Sequence, residues 1–177
     1  MHPQAFGYVA PRLVALAPKR VLEIGSADIN STAQGLSLRT LLPDATWHGI
    51  DANDGPGVDE VASAADYRTR RTFDAVVSTE AMEHAARPED IIECAARYLV
   101  PGGVLLLTAA APERAPHGAD GGPVQAGEHY GAISPDALKT MLADGWADVE
   151  IAHNPAAGDV YARAVRKAEP KADADAN

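Results

Sequence analysis

Acidic and small polar residues gather at four places where a short apolar run of this chain gives out. They are Glu23-Ile24-Gly25-Ser26-Ala27-Asp28, Asp51-Ala52, Asp66-Tyr67 and Ser78-Thr79-Glu80. A carboxylate accepts two hydrogen bonds side by side, so Asp51 suits a vicinal pair of hydroxyls such as those of a ribose. Gly25 lets the backbone turn tightly and approach a ligand, and a helix opening after it would aim its N–H groups at the same place. Further on, the spacing Glu80-x-x-Glu83-His84 sets two carboxylates and an imidazole on neighbouring turns of one helix start. Arg114, His117, His129 and Tyr130 fall together in the stretch 110–131.

The runs that precede these residues are the elements that must position them. RVLEIG at 20–25, TWHGID at 46–51, FDAVVST at 73–79 and GVLLLTA at 103–109 read as buried strands, with VDEVAS at 58–63 as a short third strand. Helices are expected over 31–42, capped by Asn30 or Ser31, and over 88–99, opened by Pro88. A further helix is expected from Ser134-Pro135-Asp136 to Leu142, stopped by Gly145. Pro11 and Pro18 restrict the opening helix to a short segment over 9–16. Two adjacent strands at about 147–152 and 159–165 close the pattern, which predicts a mostly parallel α/β sheet with an antiparallel edge. Such sheets bind ligands beyond the carboxyl ends of their strands, which is where the polar groups fall. The stretch 110–131 is rich in Ala, Gly and Pro and is long for a connection, as expected of a lid or substrate loop.

The 177 residues suffice for one domain, expected over 1–167, with 168–177 as a disordered acidic tail. No apolar run approaches the length of a membrane span, and no secretory leader opens the sequence, so the expected address is the cytoplasm. Fifteen Lys and Arg against 25 Asp and Glu give a net charge of −10, which repels a polyanion and disfavours nucleic acid as a partner. The lone Cys94 lies in a helical pattern and reads as a small buried hydrophobe.

Four blocks together resemble the class I S-adenosylmethionine-dependent methyltransferases of the small-molecule type 11 kind. They are VLEIGS at 21–26, GIDANDGPGVD at 49–59, FDAVVSTEAMEH at 73–84 and LVPGGVLLLT at 99–108. The resemblance implies a doubly wound, Rossmann-like, seven-stranded sheet with an antiparallel C-terminal strand. It implies S-adenosylmethionine as cofactor, held by Glu23, Gly25, Ser26, Asp51, Ala52, Asp66, Tyr67, Thr79 and Glu80. In that scheme Gly25 lines the methionine moiety, Asp51 holds the ribose, Asp66 meets the adenine amino group with Tyr67 beside the ring, and Thr79 and Glu80 close the floor near the sulfonium. The family's glycine-rich first turn is reduced here to Gly25 alone, so either Asp28 or Asn30 faces the ligand or cofactor binding is weakened.

Methyl transfer is an in-line displacement that needs alignment and exclusion of water, and a base where the acceptor is protonated. His84, His117 and His129 are the candidate bases, with the loop histidines favoured. Arg114 is a candidate for a substrate carboxylate or phosphate, with Tyr130 beside it in a small-molecule acceptor site. The Glu80-x-x-Glu83-His84 spacing also resembles the metal-binding half of some RNA 2′-O-methyltransferases, with His117 or His129 as the missing ligand; the expectation is nevertheless of no metal. Two other functions stay open: a methyltransferase-fold binding module without turnover, and a nicotinamide-dependent oxidoreductase. The second lacks a G-x-G-x-x-G anchor for a pyrophosphate.

Overall fold

The computed structural model describes residues 1–28 and 36–168. Seven strands form one sheet: β1 (Arg20–Ile24), β2 (Thr46–Asp51), β3 (Glu60–Val61), β4 (Phe73–Thr79), β5 (Leu99–Ala110), β6 (Trp146–Asn154) and β7 (Asp159–Arg166). Their order is β3-β2-β1-β4-β5-β7-β6, with β7 alone antiparallel to both its neighbours. The two C-terminal strands close one side of the sheet as an antiparallel pair, as expected, with β7 inserted between β5 and the edge strand β6. The short turn 155–158 joins β6 to β7 as a hairpin, and only an inserted return strand satisfies both β5 and β6.

Helices cover both faces. On one, α1 (Pro3–Leu16) buries Ala5, Tyr8, Val9 and Leu13, and the cluster it joins includes Val21, Ala75, Val77 and Leu106. On the other, α2 (Glu89–Tyr98) and α3 (Pro135–Met141) close over Leu22, Val76, Leu105 and Leu107. The alternation of inward residues along each strand sends neighbours to opposite helical layers, as a doubly wound sheet requires.

Three elements depart from expectation. α1 starts at Pro3 and runs through Pro11. Pro11 and Gly7, whose carbonyl it leaves without a helical donor, are both exposed residues on the solvent side of the helix, where solvent can meet that carbonyl while the opposite face packs. The helix ends at Ala17, in the left-handed conformation at φ 43°, with its N–H on the carbonyls of Leu13 and Val14 and Pro18 following. The predicted helix over 31–42 lies partly outside the described residues, together with Asn30; its described end is a single 3-10 turn, Arg39–Leu41. The third strand shrinks to Glu60–Val61, because Gly57 and the neighbouring turn leave little extended chain before Ser63. The expected tail over 168–177 lies, beyond residue 168, outside the described residues.

Candidate functional site

Register decides what the strand tips share. Ile24 of β1 pairs with Ile50 of β2 and with Ser78 of β4, so Gly25, Asp51 and Thr79 stand level at the ends of three adjacent parallel strands. The chain winds outward from β1 to β3, then crosses to β4 and β5, which puts the switch point between β1 and β4. A cleft of about 1420 Å³ opens there, reached by Glu23, Gly25, Asp51, Ala52, Thr79 and Glu80.

The first loop is held by its own backbone and by Asp51. The N–H groups of Gly25 and Ser26 both donate to the Ile50 carbonyl, at 2.9 and 3.1 Å. Asp51 accepts from Ala27 N–H at 3.1 Å through Oδ2 and from Asn53 N–H at 2.9 Å through Oδ1. Each oxygen keeps a further lone pair, which leaves the carboxylate able to take two hydroxyls. Gly25 has φ 78°, and a Cβ built there would overlap the Cβ of Ala81, so the loop and the turn after β4 meet only because this residue is glycine. Ser26 Oγ is buried beside the cleft without a partner among the described residues, and Asp28 N–H donates to Pro56 O at 2.7 Å.

Glu23 lines the cleft and is braced there by Arg39. Arg39 Nε donates to Glu23 Oε2 at 2.9 Å, and Arg39 Nη2 donates to Gly57 O at 2.6 Å. Burial raises the Glu23 pKa, against the opposing pull of Arg39. Nothing in the spacing of the sequence marks Arg39, whose partners lie 16 and 18 residues away.

At the other end of the cleft Glu80 sits at φ 55°, an uncommon conformation for a side chain of this size. Thr108 Oγ1 donates to its Oε1 at 2.8 Å, and Arg114 bonds both Glu80 and the fully buried Asp159. His2 Nε2 reaches Glu80 Oε2 at 3.1 Å and Asp159 Oδ1 at 3.4 Å. Burial works to raise the Glu80 pKa, but the hydrogen bond from His2 and the Arg114 charge outweigh it and lower it to about 2. Neither His2 nor Asp159 belongs to a sequence motif, and only the tertiary fold brings them here.

The rings of His84, His117 and Tyr130 meet edge to face, with centroids 5.0 to 5.9 Å apart, and both imidazoles line the cleft. Burial and the nearby His117 lower the His84 pKa, favouring a neutral ring. Glu83, beside His84, is fully buried; burial, and then the charge of Glu80, raise its pKa to about 8.

Several predicted roles are corrected. Tyr67 is wholly buried among His48 and Tyr98, with ring centroids 5.8 and 5.2 Å away, and does not face the cleft. Its neighbour Asp66 is exposed and engaged locally: Ser63 Oγ donates to its Oδ2 at 2.7 Å, and only Ser63 of this pair lines the cleft. His129 is exposed and outside the cleft. Arg114 lines the cleft, but its guanidinium is committed to Glu80 and Asp159 rather than open to a substrate anion.

A parallel sheet in this order, with an acid at the tip of its second strand and the cleft at the crossover, is the fold of Rossmann-like methyltransferases. The model of the family described as "Methyltransferase domain" matches residues 3–150, and the chain belongs to that family. It is 34% identical over 121 residues to a ubiquinone biosynthesis O-methyltransferase of Xanthomonas oryzae pv. oryzae, a match over 61% of this chain and 49% of that protein. The chain thus spans about half the length of the curated relatives it matches. Among solved structures, the DhpI complex with S-adenosylhomocysteine superposes with a TM-score of 0.67 at 21% identity, covering 94% of this chain and 86% of that one. The N-methyltransferase NodS of Bradyrhizobium japonicum, also with S-adenosylhomocysteine, gives 0.62 at 18% identity over 92% and 85%.

Proposed function

We propose that this protein is an S-adenosylmethionine-dependent methyltransferase acting on a small-molecule acceptor. The observation that carries the proposal is the level placement of Gly25, Asp51 and Thr79 on three neighbouring strand tips that open on one cleft. Membership of the methyltransferase family supports it, as do the structural neighbours that hold S-adenosylhomocysteine. The residues present suit the cofactor: a glycine that lets the first loop close against Ala81 at the rim of the cleft, a buried Ser26 hydroxyl with no partner among the described residues, and a carboxylate with lone pairs to spare.

S-adenosylmethionine supplies, when bound, a methyl group on a positively charged sulfur. With it bound, Asp51 would accept the ribose hydroxyls, Gly25 and Ser26 would border the amino-acid portion, and residues 62–65 would border the base. The carboxylate of Asp51, which is not held by a cation among the described residues, favours positive charge in the cleft. The acceptor enters at the end lined by His84 and His117. The loop over 111–131 is fastened at its base by Ile133 N–H on Ala110 O at 2.8 Å and by Gly131 N–H on Glu83 O at 2.7 Å, and it limits water at that end.

Calorimetry with S-adenosylmethionine, S-adenosylhomocysteine and NADH tests the cofactor. Binding of the first two and not the third is expected, followed by release of S-adenosylhomocysteine when a panel of small hydroxyl- and amine-bearing acceptors is offered. A folded protein that ignores both sulfur compounds, or that takes NADH instead, refutes the proposal.

A further inference from the structure

Glu83 is fully buried, yet neither carboxylate oxygen has a hydrogen-bond partner among the described residues. The cation that faces it is Arg114, whose Nη1 stands 4.0 Å from Oε1 but already bonds Glu80, while Nη2 bonds Asp159. A buried acid left this way costs free energy unless some other group meets it. Methyl transfer as described above gives it no task. One ligand atom each from Glu83, His84 and His117 lies within 4.8 Å of the others. Nδ1 of His84 is also buried without a partner among the described residues. His117 Nδ1 lies 3.1 Å from the carbonyl oxygen of Ala115. A carbonyl can only accept, so Nδ1 carries the proton and Nε2 is left with its lone pair. An outer hydrogen bond of that type is the usual way a metal-binding imidazole is oriented.

We propose that Glu83, His84 and His117 form a binding site for a divalent transition cation of the zinc kind. Two imidazoles and one carboxylate are a ligand set that holds such an ion while leaving a fourth position open. Ligand atoms at about 2.0–2.1 Å from a tetrahedral zinc stand about 3.4 Å apart, so three donors within 4.8 Å of one another need to draw together by at most about 1.4 Å. His117 rides on the long loop, which can supply that movement. Because His84 and His117 line the cleft, the open position faces the acceptor space, and that last assignment alone rests on the methyltransferase function. His2, Glu80 and Asp159 converge as closely, but the Arg114 guanidinium already bonds both carboxylates there, and no ion is proposed for them.

The full chain, stripped with a chelator, is titrated with Zn²⁺ by calorimetry and with Co²⁺ by visible absorption. One equivalent is expected, with Co²⁺ bands of a low-coordinate N/O site. Glu83→Gln and His117→Ala should each weaken uptake at least about tenfold, while His129→Ala, altered outside the cluster, should not. Circular dichroism melting establishes that each variant is folded; should Glu83→Gln fail to fold, His117→Ala on the loop carries the test. Failure of the folded wild type to take up either ion overturns the site, as does uptake that survives His117→Ala unchanged. A parallel titration with S-adenosylhomocysteine keeps the two proposals apart: cofactor binding without Zn²⁺ uptake removes the cation site alone, and Zn²⁺ uptake without cofactor binding upholds the cation site while removing the enzyme.

Discussion

At Gly25 two constraints coincide, a left-handed backbone at φ 78° and a Cβ position already taken by Ala81. Gly25→Ala is therefore expected to cost about 1–3 kcal/mol, through backbone strain and overpacking, and to push the first loop away from the cleft. Urea unfolding, together with cofactor titration, measures both effects. Asp51 carries a different load, since its carboxylate fixes Ala27 and Asn53 as well as facing the cleft. Asp51→Ala should lower S-adenosylmethionine affinity at least tenfold, through loss of charge-assisted hydrogen bonds worth about 1.5–3 kcal/mol. Unchanged affinity by calorimetry would refute the ribose assignment. Both residues were legible in the sequence because a strand tip announces itself by where its apolar run stops. Tyr67 was not, since Asp66-Tyr67 has no marker for which side chain turns inward, and the core took the aromatic one. Arg114 misled for a related reason: a loop guanidinium reads as open until its partners, 34 and 45 residues away in sequence, are known.

Strands were more legible than helices in this chain, and the cause is physical. β4 and the apolar part of β5 are buried on both faces, so each appears as a nearly continuous apolar run whatever its neighbours do. α1 was misjudged because the cost of Pro11 depends on whether the carbonyl it strands can reach water, which periodicity does not reveal. The position of β7 between β5 and β6 follows from pairing rather than local pattern, so the sequence showed two closing strands but not which one forms the edge. The sheet's middle and rim should respond differently to the same truncation. Leu106 is wholly buried on β5 among Val9, Leu13 and Val77, and Leu106→Ala should cost about 2–5 kcal/mol. Val61 on β3 is 56% exposed, and Val61→Ala should stay within about 0.5 kcal/mol. Denaturant midpoints compared at constant slope measure both, and equal losses would contradict the assigned layering.

The parts of the molecule farthest apart in sequence are tied together at one buried charge network. His2 precedes α1, Glu80 follows β4, Arg114 opens the long loop and Asp159 begins β7. Loss of the Glu80 charge should therefore loosen the whole acceptor end rather than one strand. Its pKa, about 2 in the folded protein, lies below the ordinary value of 4.5, so the unfolded chain binds more protons between those limits. The stability Glu80 contributes is then fully present above about pH 4.5 and is lost as the pH falls toward 2. Glu80→Gln removes one partner from a buried pair and is expected to cost about 3–5 kcal/mol near neutrality. The same variant should also flatten the stability profile between pH 4.5 and 2, since the group that titrates there is gone. Thermal or urea unfolding of both proteins across that range gives the difference curve. A wild-type profile that falls no faster than the variant's below pH 4.5 would show that Glu80 is not held ionised by His2 and Arg114, and that the network does not fasten the loop to the sheet.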